Sequence, residues 1–177
     1  VITLTVPTKP AWITLTHGTN GKATLCGTPP VGATGDIAIL IEAKDPSAVV
    51  VPQGFTLTIN SRPVLSPVTI SVNEDETRPF DAQDFAPGFA DADGNTLSEL
   101  QITELPTRGV LRYGPDVVVE GLKISADNLS SLTYTPLQDS TGRDTLRWNA
   151  SDGSFLYRLA DTYAVMNVST TNDPPVI

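Results

Sequence analysis

The sequence predicts an all-β chain of two Greek-key β-sandwich domains in tandem, and three observations support this. First, hydrophobic residues form 40% of the 177 residues and come in short runs, broken by 13 Gly and 15 Pro. Such runs between turn residues are typical of many short strands. Second, no convincing apolar run has helical spacing. Third, the ends of the two halves of the chain resemble each other, as in tandem repeats.

Turn residues and alternation place the individual strands. The first half is predicted to contain strands at Val1–Val6, Trp12–Thr16, Ala23–Cys26, Asp36–Ala43 and Phe55–Asn60. The second half is predicted to contain strands at Val68–Val72, Arg78–Phe80, Leu97–Glu104, Val110–Tyr113, Val117–Val119, Leu132–Thr135, Thr145–Ala150 and Thr162–Ser169. A short helical turn is predicted at Ser125–Leu129, with Asp127 as its cap.

The internal repeat predicts the domain boundary. The first half closes with GDIAILIEAKDPS and GFTLTINSRPV, and the second closes with GRDTLRWNASDGS and DTYAVMNVSTTNDPPV. Each half therefore closes with a Gly-preceded strand that ends in Ala-x-Asp, a loop, a long strand and Asn-x-x-Pro. We expect domains at 1–62 and 63–177, with the boundary near Pro63.

Charge and composition exclude several classes of function. The net charge is −9 with 11 Lys+Arg and no basic cluster, which disfavours nucleic-acid binding. No apolar run is long enough to span a membrane as a helix. Cys26 is the single cysteine and cannot form an intrachain disulfide, so we expect it to be a small buried hydrophobe.

A catalytic site is disfavoured. His17 is the only histidine, and no Ser lies in a strand-to-helix elbow that would complete a triad with it. Composition leaves a two-carboxylate glycosidase open, but aromatic residues are only 6% of the chain. Trp12 and Trp148 are predicted to lie in the core, although exposed Trp side chains would stack on sugars. We therefore expect that the chain is not an enzyme.

One acidic loop has the spacing of a calcium site. In the string Asp91-Ala-Asp93-Gly-Asn95, alternate residues turn two carboxylates toward one point, and Gly94 permits a tight turn. The alternative is an ordinary polar turn. The helix-flanked calcium loop is excluded, because its twelfth position, which requires an acid, is Ile102 here.

The motifs of both halves resemble known families. Residues 64–177 resemble the cadherin-like repeats of bacterial surface and secreted proteins, through VNEDET, FADADGNTL, ITELPTRGVLRY, LTYTP, ASDG and TNDPPV. The first half resembles a dystroglycan-type cadherin-like, or Ig-like, domain through PAWITL, TLCGTPP, IEAKDPS and FTLTINSRPV. That type has two further strands ahead of this point. The resemblance therefore implies a first domain that lacks its N-terminal strands and has an open edge, through which a homodimer could form.

The resemblance also implies calcium ligands. Carried over residue by residue, the interdomain calcium site would use Asn60, Asp91, Asp93 and Asp152. A second set, at the C-terminal junction, would use Glu74, Asp139, Asn172 and Asp173.

The function implied is that of a non-catalytic calcium-binding structural or adhesion module of a large extracellular repeat protein, in which calcium makes the interdomain junctions rigid. The alternative is a carbohydrate-binding accessory module of a secreted polysaccharide-degrading enzyme. The expected partners are other repeats of the same protein and a cell-surface protein or polysaccharide. The expected location is extracellular, in a secreted protein or at the cell surface.

Overall fold

The computed structural model describes residues 2–154, 157 and 160–171. The chain divides into two compact units, Val1–Ser61 and Arg62–Ile177, called unit 1 and unit 2 below. β-Strands are the main regular structure of both units, with little helix, which confirms the predicted all-β sandwich class.

Unit 1 has five strands in two sheets. They are β1 (Thr3–Thr8), β2 (Ile13–His17), β3 (Ala23–Gly27), β4 (Gly35–Lys44) and β5 (Val50–Ile59). One sheet has the antiparallel order β1-β4-β5, and the other is the hairpin β2-β3. β5 begins five residues before the predicted Phe55, because Pro52 and Gly54 interrupt its sequence pattern without ending the strand.

The core of unit 1 is thin. Among its described residues, Ile13 and Ile39 are the only buried hydrophobic side chains. Phe55, which pairs with Ile39 on the inner face, is 43% exposed. Cys26 is exposed, so the prediction that it is buried is wrong. Trp12 is half-buried rather than a core residue. Strands have formed here, but little covers their apolar face.

Unit 2 has eleven described strands. They are β6 (Val64–Leu65), β7 (Val68–Asn73), β8 (Arg78–Pro79), β9 (Phe89–Ala90), β10 (Glu99–Glu104), β11 (Gly109–Tyr113), β12 (Asp116–Val117), β13 (Lys123–Ser125), β14 (Leu132–Pro136), β15 (Gly142–Ser151) and β16 (Thr162–Ser169). The helix α1 (Ala82–Phe85) and the 3₁₀ turns Ala86–Gly88 and Ala126–Ser131 connect them.

The strands of unit 2 form a two-layer sandwich. One sheet has the order β13-β10-β15-β16-β7, the other has β12-β11-β14-β8, and β6 pairs with β9. β7 runs parallel to β16. The layers enclose a continuous core around Trp148, which is fully buried as predicted and contacts the Phe85 ring edge-on, with 5.2 Å between ring centroids. Alternate residues of β15 and β16 face this core, as their sequence period requires.

Several short features differ from the sequence prediction, and the short strands β6, β9 and β13 were not predicted. α1 was not predicted, yet Asp81 caps it by accepting from the backbone N–H groups of Gln83 and Asp84. The predicted turn near Ser125 is present as a 3₁₀ turn, but Asp127 is not its cap. Ser125 takes the cap position without a side-chain hydrogen bond.

Each of the five strands of unit 1 has a counterpart in unit 2. β4 and β15 are both ten residues long, and β1-β4-β5 corresponds to β10-β15-β16. The register matches: Gly35 pairs with Ile59 as Gly142 pairs with Val168, and both first strands carry a bulge after a few pairs. The hairpin β2-β3 likewise corresponds to β11-β14. The internal repeat read from the sequence is therefore also a structural repeat.

Candidate functional site

The predicted Asp91–Asn95 loop is a tight turn that directly follows β9. The Gly94 N–H donates to the Asp91 carbonyl at 3.3 Å, and Gly94 has a φ of 79°, which favours glycine. Oδ1 of Asp91 accepts from the backbone N–H groups of Asp93 at 2.8 Å and Asn95 at 3.3 Å. One oxygen of the Asp91 carboxylate thus holds the loop in shape.

The other oxygen of Asp91 is the unusual feature. Oδ2 is buried and has no hydrogen-bond partner. A buried carboxylate oxygen without a donor is costly, because it has lost water and gained nothing in exchange. A bound cation would satisfy this oxygen. The donor set of the loop, carboxylates and carbonyls, is the kind that calcium prefers.

Asp152 follows the last residue of β15. Its Oδ1 accepts from the N–H of Ser154 at 2.9 Å and from the Ser154 hydroxyl. The N–H of Ser98 donates to the Ser151 carbonyl at 3.0 Å, and a Cβ added at Gly153 would lie 3.2 Å from Oγ of Ser98. The Asp152 turn therefore lies beside the segment that continues from the Asp91 loop.

The acids among the predicted ligands do not form a recognisable metal cluster in the described residues. Within the described part of the chain, no group of three or more His, Cys, Asp or Glu side chains is arranged to hold a metal ion. Asn60, in unit 1, donates from Nδ2 to the Ser61 carbonyl at 3.0 Å. The interdomain calcium site of Asn60, Asp91, Asp93 and Asp152 stays a prediction.

The second predicted set is partly described. Glu74 is buried, and its Oε1 accepts from the N–H of Thr171 at 2.9 Å. Asp139 has a φ of 54°, and its N–H lies 3.4 Å from Oδ1 of Asp75. Asn172 and Asp173 lie outside the described residues, so this set also stays a prediction.

One important acid was not identified from the sequence. Asp144 is buried in unit 2, and its carboxylate accepts from the N–H groups of Thr107, Arg108 and Thr145 at 2.9–3.0 Å and from the Tyr134 hydroxyl at 2.8 Å. Burial, then the hydrogen bond to Asp144, raises the pKa of Tyr134 above its usual value. The signal in the sequence was an acid on the inward face of β15, in line with Leu146.

A second charged group lies on the outer face of the same sheet. Nη1 of Arg147 forms an ion pair with Oδ1 of Asp161 at 3.2 Å, and its Nε lies 3.3 Å from Oε2 of Glu104. The Arg147 guanidinium stacks over the Tyr163 ring. A hydrogen bond from Thr103, followed by the charge of Arg147, lowers the pKa of Asp161. The single positive charge of Arg147 is thus paired with the two carboxylates of Asp161 and Glu104.

The fold and loops define an immunoglobulin-like β-sandwich module of the type found in extracellular proteins. The sequence then identifies the family: the chain belongs to the bacterial Ig domain family, which matches residues 60–162. None of the curated proteins matches this chain.

Solved structures with a similar fold include endo-fucoidan hydrolases and protocadherins. Endo-fucoidan hydrolases of glycoside hydrolase family 107 include one at 22% identity, with a TM-score of 0.36 over 96% of this chain and 24% of that chain. The chain thus spans about a quarter of the length of that hydrolase. Human protocadherin-24 EC1-2 matches at 15% identity, with a TM-score of 0.45 over 98% of this chain and 83% of that chain. Protocadherin gamma B7 domains 1–4 match at 12% identity, with a TM-score of 0.48 over 98% of this chain and 42% of that chain. Likeness at such identities concerns the fold alone.

No helix among the described residues is long and apolar enough to cross a membrane.

Proposed function

We propose that this chain is a non-catalytic, calcium-binding structural or adhesion module of an extracellular repeat protein. The bacterial Ig family and the sandwich fold support a structural module. The calcium assignment depends on one observation, the buried and unpartnered Oδ2 of Asp91. The finer assignment, a cadherin-like repeat after a dystroglycan-type domain, belongs to the same proposal.

The proposed site assembles when the ion binds. Calcium takes about six to eight oxygen ligands in flexible geometry, so it tolerates a mixed set of carboxylates, carbonyls and water. Oδ2 of Asp91 is the fixed ligand, because Oδ1 already holds the loop through two N–H groups. Asp93, two residues on, and Asp152, beside Ser98, supply further carboxylates once the ion offsets their mutual repulsion. Asn60 remains a predicted fourth ligand.

Binding at this site would contribute a modest stability. Extracellular calcium modules have dissociation constants of about 0.1–1 mM. At about 1 mM calcium and a constant of about 0.1 mM, binding adds about 1.4 kcal/mol to the free energy of unfolding. That contribution is small compared with the stability of a domain, but it acts directly on the loop that binds the ion.

Isothermal titration of the full chain with calcium chloride tests the proposal. We expect saturable binding in the range of about 0.1–1 mM. Asp91→Asn keeps the Oδ1 contacts that shape the loop but weakens the ligand, so binding should fall at least about tenfold. The matched control is Asp75→Asn, a turn acid of the same unit, which should bind calcium as the unmodified chain does. Absence of binding at a few millimolar calcium would return the loop to an ordinary polar turn.

A further inference from the structure

Unit 1 exposes an apolar groove between its two sheets. The groove has a volume of about 220 Å³, and its lining includes Trp12, Leu25, Cys26, Phe55 and Leu57. An exposed apolar surface rimmed by strand edges marks an interaction site more often than a passive surface. Because the five strands of unit 1 all have counterparts in unit 2, unit 2 shows what fills the equivalent groove there.

In unit 2, a further strand covers the equivalent edge of the first sheet. By register, Phe55, Leu57 and Ile59 of β5 correspond to Ala164, Met166 and Val168 of β16. Those three pair in parallel with Val68, Ile70 and Val72 of β7. In unit 1, β5 is the edge of its sheet, and no described strand of that unit takes the place of β7.

The second sheet repeats this difference. In unit 2, β8 pairs with β14 at Thr133 and Tyr134. The corresponding residues of β3 are Thr24 and Leu25, and the sheet of β3 is a hairpin without a third strand. β7 and β8 are consecutive in the chain, so the single segment Val68–Phe80 completes both sheets of unit 2.

The edge of β5 is unprotected over the same stretch. Pro52, which lacks the N–H that pairing needs, corresponds to Asp161 and lies before the part of β16 that pairs with β7. From Phe55 to Asn60 the strand has neither a proline nor a charge, the usual features that block an edge.

We propose that the open edges of β5 and β3 take up a strand–turn–strand segment of polypeptide that lies outside residues 1–177. Its first strand runs parallel to β5 and presents alternate apolar residues to the groove, and its second strand pairs with β3. A second copy of this chain is a poorer occupant, because one added β5 would close only one of the two sheets. The segment needs the pattern of Val68–Phe80, in which Val68, Ile70, Val72 and Phe80 are buried.

Cys26 provides a reporter for this contact. By register it corresponds to Thr135, whose hydroxyl lies 2.8 Å from the Thr77 hydroxyl, next to β8. Cys26 is the only cysteine and is exposed. An added segment should therefore cover the Cys26 thiol, and its rate of reaction with a thiol reagent measures occupancy of the groove.

The experiment supplies the segment in two ways. A synthetic peptide of Ser66–Phe80 is titrated into the full chain, and a copy of residues 66–96 is placed directly before Val1, which keeps the spacing between Phe80 and β10. We expect the Cys26 thiol of the extended chain to react at least about tenfold more slowly, with matching amide protection at Phe55–Ile59. The peptide should slow the reaction in a saturable manner.

Matched variants make the test specific. The same extension with Ile70→Asp and Val72→Asp in the added copy should leave Cys26 as reactive as in the unmodified chain. Phe55→Lys, on the groove side of β5, should abolish protection, while Thr56→Lys on the opposite side should retain it. Unchanged Cys26 reactivity with both peptide and extension would overturn the proposal. So would concentration-dependent protection of β5 that the segment does not compete away, because the occupant would then be a second copy.

Discussion

The strand pairs β4-β5 and β15-β16 share the same register, yet only the second pair is buried in a core. Phe55 is 43% exposed, whereas Ala164 at the equivalent place is fully buried. The difference lies in the neighbours: β7, β8 and α1 flank the sandwich of unit 2, and unit 1 has no described counterpart. Strand formation and register thus depend on the paired strands themselves, whereas burial depends on which further strands complete each sheet.

The largest difference in stability is expected when equivalent side chains of the two units are truncated to alanine. Met166→Ala removes a fully buried side chain and should destabilise unit 2 by about 2–5 kcal/mol. Leu57→Ala, at the equivalent position, removes a half-buried side chain beside an open groove and should cost unit 1 about 1 kcal/mol. Each unit has one tryptophan, so urea unfolding followed by Trp148 in a Trp12→Phe background, and the reverse, separates the units. Equal losses would show that unit 1 is as well packed as unit 2.

The second test concerns the buried hydrogen-bond network that only unit 2 has. Asp144 and Tyr134 correspond by register to Ile37 and Leu25, an apolar pair. Tyr134→Phe removes a donor to the buried Asp144 carboxylate and should cost unit 2 about 1–3 kcal/mol at neutral pH.

The loss should depend on pH in a defined direction. The folded pKa of Tyr134 is raised, so its contribution is fully present below the unfolded pKa of about 10 and is lost as the pH rises from there toward the folded value. The stability difference between the unmodified chain and Tyr134→Phe should therefore narrow above about pH 10. If the stability difference between the two proteins stayed constant from pH 8 to pH 11, the proposed role of the Tyr134–Asp144 hydrogen bond would be contradicted.

The smallest effect on stability is expected for a substitution on the outer face of the unit 2 sheet. Asp161 and Arg147 correspond by register to Pro52 and Leu40 of unit 1. Asp161→Asn should cost less than about 1 kcal/mol at pH 7, because Arg147 and Asp161 are partly exposed to water. The folded pKa of Asp161 is lowered, so its contribution is present above the unfolded pKa of about 3.9 and is lost as the pH falls through the folded value. The difference in melting temperature between the two proteins should therefore be smaller at pH 3 than at pH 7.

Alternation and turn residues predicted most strands, because both are local. β15 was predicted because Leu146, Trp148 and Ala150 alternate on one face. The start of β5 was predicted too late, because Pro52 and Gly54 normally argue against a strand, yet Val50 and Val51 still pair with β4. Pairing with a neighbour outweighed the local signal.

The acid that organises unit 2 shows what a sequence pattern cannot supply. Asp144 was not identified from the sequence, because its partners, Tyr134 and the N–H groups of Thr107 and Arg108, come from β14 and the loop before β11. The Asp91 loop was found because its ligands are close in sequence. Cys26 and Trp12 were predicted as buried because their residue types usually are, and the open groove of unit 1 leaves them partly uncovered.

The central claim, that the Asp91 loop binds calcium, is tested most directly by crystals of the full chain grown in about 1 mM calcium and measured for anomalous scattering. The account predicts an anomalous peak about 2.3–2.6 Å from Oδ2 of Asp91, with Asp93 and Asp152 drawn toward it. A map without a peak near this loop, and with Oδ2 bonded instead to a water or a side-chain donor, would contradict the claim.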